Sequence, residues 1–363
     1  MKTFTVTLHH SNNYGALLQA YALQRVQQSM GIDNTIFEYP YSEGFYDKPD
    51  LRNLKGVPKT VYHNLIKWVH KSQITRREES FRRFHRERMK LSRIYTSMDD
   101  LRSDDIDADV LIAGSDQVWR FTGNREFIPA RFLDFGAPGV RKISYAASIE
   151  SLSYTEEQKK TVKEWLSDYD AISVREGSAR EYLGGVIGRE VERVLDPVFL
   201  LTAEQWSEIA VKPDIDEPYI LCYQVQRCPG MQETVDHLKK LTGLRTVSVM
   251  PGSMKYIDTD ESRYDVTPEE FLGLYSAASV VVSSSFHGTA FGLLFEKPVY
   301  AVLRPSGSAR LRDITSLLGV QNFCVDAHSQ IPVPEAFDAD GLGERIRIER
   351  ERSMAFLQKQ LIG

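Results

Sequence analysis

Short apolar, β-branched runs alternate with helix-like stretches along almost the whole chain, and this alternation narrows the possible folds more than any other feature. Strand candidates are Phe4–Leu8, Thr35–Tyr39, Asp109–Ala113, Lys142–Ala146, Ala171–Val174, Tyr219–Tyr223, Arg245–Val249, Ser279–Ser283 and Pro298–Leu303. Helical runs lie between them, among them Leu17–Met30, Glu156–Tyr169, Met231–Thr242 and Pro268–Ala277. Strands buried on both faces read as continuous apolar runs, and strand–helix alternation builds parallel sheets covered by helices. The expected class is therefore α/β. At 363 residues the chain can hold two such domains, each with its own core. The expected seam runs from Asp196 to Pro218, where Asp196-Pro197 ends one unit and Lys212-Pro213-Asp214 to Glu217-Pro218 reads as a polar linker. This gives a first domain over 1–205, a second over 206–340, and a charged helical tail over 341–363 that can pack back on the first domain.

Charge and cysteine usage exclude several function classes. The formal net charge of -5 gives no global attraction to nucleic acid. Cys222, Cys228 and Cys324 form no CxxC pair and suit a reducing cytosol rather than a disulfide framework. Met1 to Val6 reads as a first strand and not as a signal peptide, and no stretch is long and apolar enough to span a membrane. The expected location is cytoplasmic. One segment departs from this acidic background. Lys59–Arg93 holds Lys67, Lys71, Arg76, Arg77, Arg82, Arg83, Arg86, Arg88, Lys90 and Arg93 against Glu78, Glu79 and Glu87, with Trp68, Phe81 and Phe84 at helical spacing. It reads as a helical insertion of the first domain, about 55–95. It is either a solvated surface or a basic face for anionic lipid or a lipid-linked diphosphate at the inner membrane face.

Chemistry concentrates where strands end. Ser283-Ser284-Ser285-Phe286-His287-Gly288-Thr289 follows a buried strand and precedes a small-residue helix, Ala290 to Phe295. Backbone N–H groups and the helix dipole favour an anion there, and His287 can bind it or hand it a proton. Asn12-Asn13-Tyr14-Gly15 stands likewise before the first helix, with His9 and His10 beside it. Adjacent strand residues point to opposite faces, so these histidines are not read as a metal pair. Asp116 arrives just past the strand Asp109–Ala113, where a carboxylate can take a proton from a sugar hydroxyl or simply cap a turn. Gln117 and Trp119 suit a sugar site, although Trp119 suits a core equally. Arg175 ends another strand and offers a fork to a carboxylate or phosphate, or pairs with Glu176. Arg304, Arg310 and Arg312 cluster after Pro298–Leu303. No GxxxxGK[ST] loop, GxGxxG, HExxH, zinc spacing or GxSxG elbow occurs.

In their order, six stretches resemble the polysaccharide pyruvyl transferase family. They are Asn13-Tyr14-Gly15-Ala16-Leu17-Leu18-Gln19-Ala20-Tyr21-Ala22-Leu23, Gly114-Ser115-Asp116-Gln117-Val118-Trp119, Ser144-Tyr145-Ala146-Ala147-Ser148, Ser173-Val174-Arg175-Glu176, Leu195-Asp196-Pro197 and Ser285-Phe286-His287-Gly288-Thr289. The resemblance implies a GT-B-like fold, with two Rossmann-like domains whose parallel sheets face a central cleft. It implies transfer of the enolpyruvyl unit of phosphoenolpyruvate to two hydroxyls of a sugar, often lipid-diphosphate-linked, in capsule, exopolysaccharide or cell-wall polymer synthesis. Phosphoenolpyruvate is then a co-substrate, and no cofactor or metal is expected. Arg175 and His287 fall on donor-binding positions, with Ser285, Gly288, Thr289 and Arg310 completing that grip. His287 and Asp116 are the expected catalytic acid and base, and Asn13, Tyr14, Gln19, Gln117 and Trp119 the expected acceptor side. Two other readings stay open: a GT-B glycosyltransferase using a nucleotide sugar, and a non-catalytic sugar- or lipid-carrier-binding subunit.

Overall fold

The structure, a computed structural model, describes residues 1–10, 12–40, 68–149, 152–252, 254–305, 307–326 and 330–363. The start of the basic segment, up to residue 67, lies outside the described residues. Two compact units divide the chain: residues 1–42, 85–201 and 346–363 form the first, and residues 43–84 and 202–345 the second.

The first unit is built on β1 (Lys2–Val6), β2 (Asp33–Glu38), β3 (Leu91–Ile94), β4 (Val110–Ala113) and β5 (Arg141–Ser144), in the order β3-β2-β1-β4-β5. Every pair is parallel. Parallel bridges from Ile143 to Ala171 and from Ala147 to Val174 carry the sheet on to the short pair β6 (Ser173–Val174) and β7 (Glu192–Arg193). Among the described residues and counting helices of eight residues or more, its first helix is α1 (Tyr14–Ser29). Asn13 caps α1 by accepting from the N–H groups of Gly15 and Ala16, and Leu17, Leu18, Ala20, Ala22 and Leu23 bury its inner face. A basic helix, α2 (Lys71–Arg88), follows, and then α3 (Glu156–Trp165), whose Thr155–Gln158 capping box ties down the first turn. The helix after β6 is α4 (Gly177–Ile187), which ends on Gly188 at φ 68°, the left-handed conformation that glycine takes without a Cβ penalty.

The second unit repeats the plan. Strands β8 (Tyr219–Tyr223), β9 (Arg245–Val249), β10 (Glu261–Arg263), β11 (Val280–Ser283), β12 (Val299–Val302) and β13 (Cys324–Val325) run parallel in the order β10-β9-β8-β11-β12-β13. The connecting helices are α5 (Met231–Thr242), α6 (Pro268–Ala277), α7 (Phe286–Leu294) and α8 (Ala309–Leu317). In each unit the sheet therefore reads third, second, first, fourth, fifth strand outward from one edge. That is the doubly wound Rossmann order, with its switch point between the first and fourth strands. Two such sheets in one chain give the GT-B-like α/β class that the resemblance implies.

Two boundaries differ from those expected. The described part of the basic helix up to Phe84 groups with the second unit, not the first. The reason is specific bonding: buried Arg77 donates to the Met250 carbonyl at 2.7 Å, and Arg76 pairs with Asp265 and Glu270 at 2.7 Å each. The last helix, α9 (Ala339–Leu361), belongs to the second unit as far as Arg345 and to the first from Ile346 onward. In its later part, Ser353 accepts from the Leu195 N–H at 2.9 Å, while Leu357 and Leu361 are buried.

Candidate functional site

In the second unit the stretch expected to hold an anion stands at the end of β11. The helix starts earlier than the sequence suggests: α7 opens at Phe286, so His287 and Gly288 stand inside its first turn. Ser285 is the N-cap, its hydroxyl accepting from the Gly288 N–H at 3.5 Å. Ser283 Oγ accepts from the Ser285 N–H at 3.1 Å and donates to the Tyr223 carbonyl at 2.8 Å, which fixes the turn to β8. Small residues make this approach possible. A Cβ on Gly288 would sit 2.3 Å from Ser283 Oγ and 2.7 Å from Tyr223 Cδ1, and one on Gly292 would sit 2.5 Å from Val299 Cγ2. The N-terminal end of α7, with its partial positive charge, is thus pressed against the carboxyl ends of β8 and β11 at the switch point. His287 is buried to 7% exposure, its ring edge-on to Phe286 at 5.1 Å.

One residue here was not expected from the sequence, and one was. Gln224, the residue after β8, is 5% exposed, and neither of its amide atoms has a hydrogen-bond partner among the described residues. Buried amides are normally bonded, so both its donor and its acceptor capacity remain available at this strand end. Its signal was there to read, since a polar residue directly ends the apolar run Tyr219–Tyr223. Arg304, two residues past β12, reaches back to Gln226 Oε1 at 2.6 Å, so this arginine meets the loop after β8. Arg310 is partly buried in the first turn of α8, and Arg312 pairs with Asp326 at 3.7 Å. The hydroxyl of Thr289 is buried without a hydrogen-bond partner among the described residues.

In the first unit the corresponding strand end is crowded with charge. Gly114 packs close on Thr7, and the Thr7 hydroxyl donates to the Ser115 carbonyl at 2.9 Å, joining the ends of β1 and β4. Asp116 then takes φ 68°, a left-handed conformation that costs a non-glycine residue about 1–3 kcal/mol and persists only where surroundings enforce it. Enforcement is visible: the Asp116 carbonyl accepts from the N–H groups of Val118 and Ser148 at 2.7 and 2.9 Å. Its carboxylate keeps 18% exposure.

Expected at the donor anion, Arg175 lies instead in a buried ion cluster. Its guanidinium meets Asp196 at 2.6 Å, Glu176 at 3.0 Å and Asp116 at 3.3 Å, with 1% of the side chain exposed. Burial alone would lower its pKa, but the carboxylates of Asp196, Glu176 and Asp116 outweigh that and raise it. Ser115 and Ser148 add hydroxyl donors, to Asp196 at 2.9 Å and to Glu176 at 2.7 Å. The fork is engaged by side chains from three places in the sequence and orients Asp116.

The expected acceptor residues separate. Trp119 is fully buried, stacked on Phe132 at 5.9 Å in the hydrophobic core, because the turn after Asp116 folds it inward. Tyr14 is also fully buried. Gln19 spends its amide donor on Thr7, Leu8 and Ala16 inside the unit. Asn13 is engaged as the α1 cap, and Gln117 is partly exposed beside Asp116. His9 and His10 correct another expectation. β1 ends at Val6, so strand alternation no longer applies to them, and their rings lie 3.8 Å apart on one side. Glu38 at the end of β2 and His85 on α2, both unremarked in the sequence, join them. Burial and then His85 push the His9 pKa down to about 3, burial drives that of His10 well below its usual value, and burial lifts the Glu38 carboxyl to about 7.

A family profile described as "Polysaccharide pyruvyl transferase" matches residues 13–306 of the chain. No curated protein matches the chain in sequence. Among solved structures, UDP-GlcNAc 2-epimerase from Neisseria meningitidis bound to UDP-GlcNAc is similar at 10% identity and TM-score 0.49, covering 100% of each chain. UDP-GlcNAc 2-epimerase from Methanocaldococcus jannaschii is similar at 11% identity and TM-score 0.46, covering 96% of this chain and 93% of that one. An alpha-glucosyltransferase in complex with UDP is similar at 10% identity and TM-score 0.47, covering 99% and 95%.

Proposed function

Because the chain belongs to the polysaccharide pyruvyl transferase family, we propose that it moves the enolpyruvyl unit of phosphoenolpyruvate onto two hydroxyls of one sugar. The product is a cyclic pyruvate ketal, and inorganic phosphate leaves. The observation that carries this reading is the second unit's strand ends: His287 in the Ser285-capped first turn of α7 after β11, and the unsatisfied amide of Gln224 directly after the neighbouring β8. Phosphoenolpyruvate is small and polyanionic. A helix N-terminus with neutral donors and an arginine suits it better than a large apolar pocket. Arg304, and Arg310 in the first turn of α8, are the cations we assign to its phosphate and carboxylate.

The reaction divides into two additions. In the first, a sugar oxygen bonds the enol carbon while protonated His287 gives its proton to the methylene carbon, which becomes a methyl group. Asp116 takes the proton of the attacking hydroxyl. In the second, the other hydroxyl bonds the same carbon, the carbon–oxygen bond to phosphate breaks, the leaving phosphate takes up that hydroxyl's proton, and the helix end and Arg304 stabilise the departing charge. Arg175 positions Asp116 through the 3.3 Å contact between guanidinium and carboxylate. No metal takes part in this scheme. We assign a lipid-diphosphate-linked saccharide as acceptor, drawn to the basic helix. Arg82, Arg83 and Arg86 are exposed there, and Trp68 just before it is 75% exposed. No helix among the described residues is long and apolar enough to cross a membrane, so such docking is peripheral.

The test is mass spectrometry of lipid-linked saccharides incubated with the protein and phosphoenolpyruvate. A ketal-bearing product with stoichiometric phosphate release is expected. Thermal-shift measurements run alongside with phosphoenolpyruvate and with nucleotide sugars. Stabilisation by a nucleotide sugar alone would sink the phosphoenolpyruvate reading.

A further inference from the structure

Three histidines and a glutamate converge in the first unit. They arrive from three elements: His9 and His10 from the loop after β1, Glu38 from the last position of β2, and His85 from the last turn of α2. Ligand atoms of His9, His10 and Glu38 all lie within 4.8 Å of one another. His9 Nδ1 is 3.2 Å from His85 Nε2, and His10 Nδ1 is 3.5 Å from Glu38 Oε1. With metal–donor bonds of about 2.1 Å, two donors on a tetrahedral centre stand about 3.4 Å apart, so these gaps are those of ligands sharing one ion.

Hydrogen bonding within the cluster leaves it incomplete. His9 Nε2 is 2.9 Å from the Phe37 carbonyl and donates to it, which fixes the tautomer and turns the lone pair of Nδ1 into the cluster. A ligating histidine is commonly held in this way, its second ring nitrogen bonded to a backbone carbonyl. His10 Nε2 and Glu38 Oε2 are buried and have no hydrogen-bond partner among the described residues. An orphaned carboxylate oxygen beside an orphaned imidazole nitrogen is costly, and a shared cation satisfies such groups.

We propose that His9, His10 and Glu38 bind one divalent first-row transition ion, beside His85, whose Nε2 lies 3.2 Å from the His9 carbonyl. Imidazole-rich donor sets suit zinc and its neighbours and do not suit magnesium or calcium. Three protein donors leave the fourth position of such an ion to a water. The ion's work is to clamp the loop after β1 to the end of β2, and so to hold the turn that Asn13 completes at the head of α1. The proposed pyruvyl transfer routes no step through this ion.

The experiment uses the full chain without an affinity tag, stripped with a chelator and dialysed. Zinc chloride is titrated by calorimetry, retained metal is counted by plasma mass spectrometry, and cobalt(II) is added for its visible spectrum. One zinc per chain, a tetrahedral cobalt spectrum and no magnesium binding are expected. Glu38→Gln and His10→Ala each lower zinc affinity at least about tenfold, whereas His237→Ala, on exposed α5 surface, leaves it unchanged. Zinc binding below half an equivalent, a non-tetrahedral cobalt spectrum, or wild-type affinity in both cluster variants would overturn the proposal. Circular dichroism identifies a variant that has lost its fold. In that event, the wild-type stoichiometry and cobalt spectrum decide alone.

Discussion

The two sheets share one strand order, yet their switch points carry opposite chemistry. At the first, Arg175 is surrounded by Asp116, Glu176 and Asp196, and its charge is consumed inside the unit. At the second, the groups meeting the end of α7 are hydroxyls, an amide and His287, with Arg304 at the margin. The first presents a fixed carboxylate, suited to taking a proton from a hydroxyl. The second presents donors and a positive helix end, suited to an anion. The same backbone plan therefore carries different chemistry in each unit, and side chains at strand ends decide which.

The sharpest way to break this contrast is Arg175→Met. Removing the cation leaves the buried carboxylates of Glu176 and Asp196, and the partly exposed one of Asp116, without their counter-charge, so a loss of about 3–5 kcal/mol is expected in denaturant unfolding, with activity falling alongside. If the variant unfolds like wild type and loses only phosphoenolpyruvate affinity, Arg175 is a ligand residue and the contrast fails. His287→Gln is the opposite case. Turnover is expected to drop by about 10²–10⁴-fold with the melting temperature unchanged, because the ring sits at a helix end rather than in an ion cluster. Loss of folding without a separable loss of kcat would assign His287 to the core.

Gly288→Ala probes the frame beneath the second site. The new Cβ meets Ser283 Oγ at 2.3 Å and Tyr223 Cδ1 at 2.7 Å, and relieving that overlap costs about 1–3 kcal/mol while shifting the end of α7. KM for phosphoenolpyruvate is expected to rise with the instability; an unaltered KM would place the donor elsewhere. The smallest effect expected is that of Arg76→Gln. Its ion pairs with Asp265 and Glu270 are half exposed, so less than about 1 kcal/mol is at stake, and salt should shrink it further. A larger, salt-insensitive loss would show that the basic helix is bound into the second unit more firmly than its paired arginine indicates.

Much of the frame was legible because buried parallel strands write continuous apolar runs. Each of the nine strand candidates overlaps an observed strand, and α5 and α6 match their expected bounds. The strands that escaped notice, β3, β7, β10 and β13, lie at the outer edges of the sheets and are short and half-solvated. An edge needs no apolar run, since one side of its ladder faces solvent. For the candidate site, strand-end placement singled out His287, Ser285 and Asp116, and the structure puts them at or just past strand ends. Trp119 and Tyr14 were misjudged, because a turn that reverses the chain also decides which aromatic faces inward.

Local patterning was enough to specify the α/β class, the pair of domains and the strand ends where chemistry gathers, since these depend on residues close together in the chain. Partnership was another matter. Arg175 meets Asp116 across 59 positions and Asp196 across 21, and His9 meets His85 across 76. No periodicity records which groups a folded sheet will bring side by side. Whether an arginine is open to a ligand or already neutralised, and whether neighbouring histidines diverge or stack, follows from burial and strand order. Those properties arise only once the sheets have closed around them.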